Sequence, residues 1–198
     1  MIWADLAAVA ATILAVAFLV PQLVKLARTG DPAGVSPTWA AIGAVSNAAW
    51  FAYLVSQRLW AAAPSALPII AFYGLTLVYL RRAGAPARGA VWRGMVWASF
   101  LAATLVVGSW NALGLVLGFS FGLQMAPSVW TAYRSPVPSG ISPGTWWIGV
   151  VEAVLWFVYG WARTDVPLQL FGAVYLVGSA LMLARYYATR RRFAVAAA

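Results

Sequence analysis

Very few side chains of this 198-residue chain are suited to acid–base or metal chemistry. It has no histidine and no cysteine, and its four acidic residues are Asp5, Asp31, Glu152 and Asp165. Without a thiolate or an imidazole, the chain lacks the usual zinc ligands, nucleophiles and general bases, and it forms no disulfide. The sequence therefore argues against an enzyme, a metal centre and a bound cofactor.

Glu152 is the one acidic residue that falls deep inside a long apolar run, about nine residues after Pro143. A carboxyl at such a depth is costly unless it faces a cavity or a partner, and no basic residue lies at a comparable depth. Three interpretations stay open. Glu152 could contact hydroxyl groups of a polar molecule, take up and release a proton, or bridge helices as a neutral group, with Ser46 or Asn47 as hydrogen-bond partners.

Two stripes of polar and aromatic residues have helical spacing. The first stripe occupies one helix face at i, i+4, i+7 and i+11: Ser46, Trp50, Tyr53 and Gln57. The second has the same spacing: Glu152, Trp156, Tyr159 and Arg163. Tryptophan rings that share a face with polar groups favour a cavity lining. The alternative is that these tryptophans pack or face lipid.

The composition indicates which elements must position these stripes. Hydrophobic residues make up 64% of the chain and charged residues only 9%, whereas soluble domains carry about 25% charged residues. A membrane-spanning helix needs about 20 mostly apolar residues. Seven stretches are candidates: 6–24, 37–55, 60–80, 94–107, 112–133, 145–161 and 166–184. The sequence therefore predicts an all-α, multi-pass protein of the cell membrane with seven transmembrane helices.

Basic residues predict the orientation. If seven helices alternate in direction, 11 of the 13 Lys and Arg residues fall on one side, and only Arg58 and Arg163 on the other. The positive-inside rule then puts the N-terminus outside and the C-terminus in the cytoplasm. Because these charges flank apolar runs, they indicate contact with membrane lipid, at 190–192 above all, and argue against nucleic acid as a partner.

An internal repeat divides the chain. A shift of 106 positions gives 12 identities across the 33 residues of 21–53 without a gap, including the pairs Pro21/Pro127 and Pro37/Pro143. Each unit holds three spans, so four crossings separate the unit starts and both units face the same way. The predicted 3+1+3 parallel-repeat arrangement comprises a first three-helix repeat (1–83), a cytoplasmic linker with the fourth helix (84–110), and a second repeat with a basic tail (111–198).

Both copies resemble the PQ-loop pattern. The first reads PQLVKLARTGDPAGVSPTWAAIGAVSNAAWFAYL from Pro21, and the second reads APSVWTAYRSPVPSGISPGTWWIGVVEAVLWFVYG from Ala126. Their Gly-x-Ser-Pro and Trp-Phe-x-Tyr segments and the 3+1+3 order are similar to the SWEET sugar transporters and their half-size bacterial relatives, over nearly the whole chain. The resemblance implies a uniporter that alternates between outward and inward openings around a cavity between two three-helix bundles.

The resemblance also implies residue roles. Trp50 and Trp156 would sandwich the solute, and three neighbours would contact its hydroxyl groups: Ser46, Asn47 and Glu152. Four prolines would form hinges, because proline removes a backbone donor and bends a helix: Pro21, Pro37, Pro127 and Pro143. The alternative for the prolines is a fixed kink without motion.

An outer gate follows from the same resemblance, closed by ring stacking and an ion pair: Tyr53, Tyr159, Arg163 and Asp165. The charged form occurs only in the second repeat, because the first has Gln57, Arg58 and Leu59 at the corresponding positions. The alternative for Arg163 and Asp165 is an interfacial pair that contributes little free energy.

The chain departs from the family where sugar carriers usually have asparagine, sixteen residues after each tryptophan. Ala66 and Gly172 occupy these positions. Neighbouring polar candidates are Ser65, Tyr73, Gln169 and Tyr175. A glycine every four residues, at Gly114, Gly118 and Gly122, leaves packing within the chain and a homo-oligomer interface both open.

Three functions therefore remain. The leading hypothesis is facilitated diffusion of a mono- or disaccharide. The others are proton-coupled transport of an amino acid or another polar metabolite through Glu152, and a non-transporting membrane receptor on the same fold.

Overall fold

A computed structural model of the chain describes residues 1–30, 35–85, 88–135 and 142–196, and within these ranges the chain is helical without any strand. The helices are α1 (Ile2–Thr29), α2 (Pro37–Ser56), α3 (Ala66–Arg82), α4 (Arg88–Val107), α5 (Trp110–Arg134), α6 (Pro143–Ala162) and α7 (Val166–Ala196). One 3-10 turn, Ala63–Ser65, leads into α3. All seven helices are long and apolar enough to cross a membrane. The prediction of an all-α, multi-pass membrane protein is confirmed at this level.

The fourth helix begins earlier than predicted. The sequence predicts a short span over 94–107, whereas α4 begins at Arg88 and is 20 residues long. The earlier start is physically reasonable, because arginine is a good helix former and only the central, uncharged part must lie in hydrocarbon. The third span begins later than predicted, because a turn over 60–62 and the 3-10 turn Ala63–Ser65 precede α3.

The four predicted hinge prolines occupy two kinds of position. Pro37 and Pro143 are the first residues of α2 and α6, where proline is favoured because the first-turn N–H has no helical partner. Pro21 and Pro127 lie inside α1 and α5. The expected bend within a helix is therefore available only at Pro21 and Pro127, and the other two begin helices after a loop.

Helix neighbours follow the repeat. Among the described residues, α3 contacts α1 and α2, and α7 contacts α5 and α6, whereas α1 does not touch α2 and α5 does not touch α6. Between the first three and the last three helices, the described backbones approach closely in two pairs, α1 with α6 and α2 with α5. The 106-residue shift converts each of these two pairs into the other. The fourth helix, α4, packs on α2 and α5.

The glycine stripe of α5 packs inside the chain. A Cβ atom on Gly114 would lie 2.8 Å from Pro167 Cβ, and one on Gly118 would lie 2.8 Å from the Pro167 carbonyl oxygen. At Gly122 the nearest atom would be Val174 Cγ1, at 2.9 Å. The stripe therefore lets α5 approach α7 closely, as small residues do between membrane helices.

Candidate functional site

A buried hydrogen bond joins the first three helices to the last three. The Tyr53 hydroxyl donates to Oδ2 of Asp165 at 2.6 Å, and the two residues are 1% and 9% exposed. Oδ1 of Asp165 accepts from the backbone N–H of Leu168 at 2.9 Å, which caps the start of α7. Because α7 orients this carboxylate, the tyrosine meets a fixed, charge-assisted acceptor. We call the end of the bundle that holds this bond and Met1 the amino-terminal end.

An ion pair lies at the same end. Arg163, which follows α6, contacts Asp5 on α1, and both side chains are about one-third exposed. The hydrogen bond that Arg163 donates to the Asp5 carboxylate raises the pKa of Arg163, and the Arg163 guanidinium carbon lies 5.6 Å from the Tyr159 ring centroid. Arg163 therefore pairs with α1 of the other repeat and not with Asp165, the acid two residues later.

Tyr159 is the repeat partner of Tyr53, and the two hydroxyl groups differ. Tyr159 is fully buried, and its hydroxyl has no hydrogen-bond partner among the described residues. The position that corresponds to Asp165 in the first repeat is Leu59, which offers no acceptor. Among the described residues, the bond between Tyr53 and Asp165 therefore has no equivalent at Tyr159.

Glu152 is buried and bridges α6 to α7. Its Oε2 accepts from the Tyr175 hydroxyl at 3.1 Å, and its Oε1 accepts from Nε1 of Trp156 at 3.3 Å. The expected bonds to Ser46 or Asn47 are not made. Of the three interpretations, this geometry matches the one in which Glu152 bridges two helices. Its partner Tyr175 is one of the polar candidates that the sequence offers near Gly172.

Ser46 and Asn47 have partners of their own. The Ser46 hydroxyl accepts from Nε1 of Trp97 on α4 at 2.9 Å. The Asn47 amide donates to the Gly43 carbonyl one turn earlier, at 2.9 Å. Trp97 had no role in the sequence-based prediction because α4 lies outside the repeat, yet it anchors α4 to α2.

Trp50 and Trp156 meet at one aromatic residue of α7. Phe171 contacts the Trp50 ring edge-on at a centroid distance of 5.6 Å and the Trp156 ring at 6.3 Å. Trp156 is 5% exposed and Trp50 is half-buried. The structure therefore brings the two predicted solute platforms together. Phe171, which the sequence did not single out, contacts both of these rings.

Gly172, one of the two positions where the resemblance predicts asparagine, has no space for a side chain. A Cβ on Gly172 would lie 2.6 Å from the backbone nitrogen of Phe157 and 2.8 Å from the Ala153 carbonyl oxygen. Ala66 is 2% exposed. Close packing of α7 on α6 explains why residue 172 is a glycine and not the asparagine that the resemblance predicts.

A cavity of about 780 Å³ lies at the opposite end, between α2, α4 and α5. This end holds Arg28, Arg82 and Arg134, and we call it the basic end. The polar and aromatic residues that line the cavity are Ser36, Thr38, Trp39, Trp97, Ser120, Gln124 and Ser128. Ser120, Gln124 and Ser128 are spaced i, i+4 and i+8 on α5, so the sequence alone indicates that they share one helix face.

These features allow one end of the bundle to be closed while a polar cavity is present at the other. None of the five predicted solute contacts is among the described residues that line this cavity. The described residues include no group of three or more acidic side chains that could hold a metal ion. In comparisons with known proteins, the chain matches no protein-family model and no curated protein.

Proposed function

We propose that this protein is a SWEET-type uniporter that carries a small sugar across the cell membrane by alternating access. The observation that carries the proposal is the difference between the two ends: two contacts between the repeats close the amino-terminal end, and a polar cavity lies at the basic end. In each of its two open conformations, an alternating-access transporter has one sealed end and one accessible end. In this proposal the amino-terminal end faces outward.

The 3+1+3 arrangement is part of the proposal. It is supported by the helix contacts, since α1 with α6 and α2 with α5 are equivalent under the 106-residue shift. The bias of basic residues supports an external N-terminus and a cytoplasmic C-terminus. Two bundles that touch through equivalent helix pairs are able to rock about the axis between them.

The cavity chemistry supports a neutral, hydroxylated solute. Its described lining includes four hydroxyl groups and one amide, at Ser36, Thr38, Ser120, Ser128 and Gln124, and none of the described lining residues is charged. Trp39 and Trp97 add apolar ring faces. A sugar presents both hydroxyl groups and C–H faces, and this lining complements both. Passage toward the amino-terminal end requires Phe171 to withdraw from Trp50 and Trp156.

Transport is tested with the purified protein in liposomes. We expect uptake of labelled glucose or sucrose without an ion gradient. In Trp156→Ala we expect the flux to fall by up to about tenfold, since losing an aromatic contact of about 1.5 kcal/mol corresponds to that factor. Trp161→Ala is the matched control, because Trp161 is 66% exposed on the same helix.

Absence of flux for every sugar tested, in protein that retains its helical content, would overturn the proposal. Equal losses in the two tryptophan variants would remove Trp156 from the solute path. Solute binding without any flux would instead favour the receptor function.

Proton-coupled transport is a second candidate, favoured by the buried contact of Glu152 with Tyr175 and Trp156. In that case a pH gradient drives accumulation of an amino acid or another polar metabolite. Glu152→Gln keeps the size of the side chain and one acceptor oxygen, so it should abolish accumulation and leave exchange intact. Accumulation that is unchanged in Glu152→Gln would exclude the carboxyl as the coupling group.

A further inference from the structure

A second cavity is present between α5 and α7, near the basic end. It has a volume of about 680 Å³, and its lining is apolar and aromatic: Gly122, Met125, Ala126, Val129, Trp130, Tyr133, Ala173, Val174, Val177, Gly178 and Leu181. Several of these side chains are exposed, including Trp130 at 62% and Val177 at 59%. In a membrane-spanning bundle, such an exposed apolar surface faces lipid. We call this cavity the α5–α7 groove.

The repeat provides an internal comparison for the groove. Gly122 and Gly178 correspond to Val16 and Phe72 of the first repeat. Phe72 is 5% exposed and packs with Leu19 between α1 and α3. Where the first repeat has these large side chains, the second repeat has none, and Met125 lies over Gly178. The groove is therefore a property of the second repeat and not of the shared fold.

The rim of the groove carries positive charge. The Arg134 guanidinium carbon lies 4.3 Å from the Trp130 ring centroid, and Arg134 is exposed and makes no ion pair within the described part of the chain. Arg185 donates from Nη2 to the Ser135 carbonyl at 2.6 Å and from Nε to the Ala132 carbonyl at 3.0 Å. A cation held over an aromatic ring beside an apolar groove complements an anionic headgroup that has an acyl chain attached.

The length of the groove fits one leaflet. Its α5 side runs from Gly122 to Tyr133, which at 1.5 Å per residue is roughly 16 Å. The hydrocarbon core of a bilayer is about 30 Å thick, so the groove spans about half of it. Trp130 and Tyr133 lie at its basic end, the position that amphipathic aromatic residues favour at the membrane interface.

We infer that the α5–α7 groove is a binding site for one anionic phospholipid. An acyl chain occupies the apolar groove, and the phosphate contacts Arg134 at the rim. The inference uses only the membrane-spanning character of the chain and the local geometry, so it is independent of the solute that the protein carries.

Native mass spectrometry of the full chain in detergent tests the site, with phosphatidylglycerol and phosphatidylcholine as probes. We expect one phosphatidylglycerol to bind with several-fold preference over phosphatidylcholine. Arg134→Gln should reduce this preference by about fivefold, the effect of one cation near an anionic headgroup. Arg28→Gln is the matched control, because Arg28 is its repeat partner, beside helices without such a groove.

A second variant tests the groove itself. Ala126 lines the groove and is exposed, so Ala126→Trp should fill it and remove both lipids, whereas Ala180→Trp, on the exposed face of α7 outside the groove, should not. If Ala126→Trp fails to fold by circular dichroism, Val177→Trp provides the same test. Equal effects of the two arginine variants, retention of lipid in the filled groove, or a second protein chain in place of the lipid would overturn the inference.

Discussion

Replacing Tyr53 by phenylalanine is expected to open the amino-terminal end of the bundle. The variant loses the buried bond to Asp165, and a hydrogen bond to a charged group contributes roughly 1.5–3 kcal/mol. The equilibrium between the closed and open conformations should therefore shift by about 10- to 150-fold. The Asp5–Arg163 pair contributes less, because both side chains are partly exposed.

Cysteine labelling measures this shift without background, because the chain has no cysteine of its own. Ala62 is fully buried in the same apolar cluster as Tyr53 and Tyr159. In the proposed orientation, a membrane-impermeant maleimide added outside the cell should react slowly with Ala62→Cys. With Ala62→Cys combined with Tyr53→Phe it should react faster by the stated factor.

Tyr159→Phe is the matched control for this experiment. It removes the repeat-related hydroxyl, which has no hydrogen-bond partner among the described residues, so the labelling rate should stay within about twofold of the parent. Arg163→Gln should give an intermediate rate. If Tyr53→Phe and Tyr159→Phe change the rate equally, the Tyr53–Asp165 bond is not what closes this end. A Leu59→Asp variant, which supplies Tyr159 with an acceptor, should slow the labelling.

Gly172→Ala is expected to destabilise the folded protein strongly. The new Cβ would lie 2.6 Å from the Phe157 nitrogen and 2.8 Å from the Ala153 oxygen, and both atoms belong to the backbone of α6. A backbone cannot rotate away as a side chain can, so α6 and α7 must separate. Overpacking of this kind costs roughly 1–3 kcal/mol and sometimes more, and we expect the upper part of that range.

Gly74→Ala is the control for the glycine prediction. Gly74 lies inside α3 with no atom within 4 Å of the added Cβ, and alanine is the better helix former by about 1 kcal/mol. Thermal unfolding of both variants in the same detergent should lower the midpoint for Gly172→Ala and raise or preserve it for Gly74→Ala. An unchanged midpoint in Gly172→Ala would show that α6 and α7 are not packed through their backbones at this site.

The Gly172 contact also bears on the solute site. Gly172→Asn, which introduces the residue usual in the sugar carriers that the sequence resembles, should fail to fold for the same steric reason. In the proposed transporter, the solute contacts must therefore come from other side chains. The structure offers those of α5 and α4, including Gln124 and Trp97.

The sequence by itself was sufficient to predict the seven apolar helices and the all-α membrane class. These are local properties: hydrophobicity over about 20 residues decides whether a helix can span a bilayer, and the 106-residue repeat identifies equivalent helices. The same information predicted that Trp50, Trp156 and the two gate tyrosines share helix faces. The sequence did not predict which neighbour each face contacts, because the periodicity of one helix does not determine how that helix is rotated against its neighbours.

Only the tertiary structure decided which side chains meet. Arg163 pairs with Asp5, 158 residues away, and not with Asp165, since α1 packs on α6 and brings Asp5 to that end. Phe171 contacts both tryptophans because α7 lies against α6 so closely that residue 172 must be glycine. These contacts depend on helix neighbours and on helix separation, which are set by packing across the whole bundle and not by the spacing of residues along one helix.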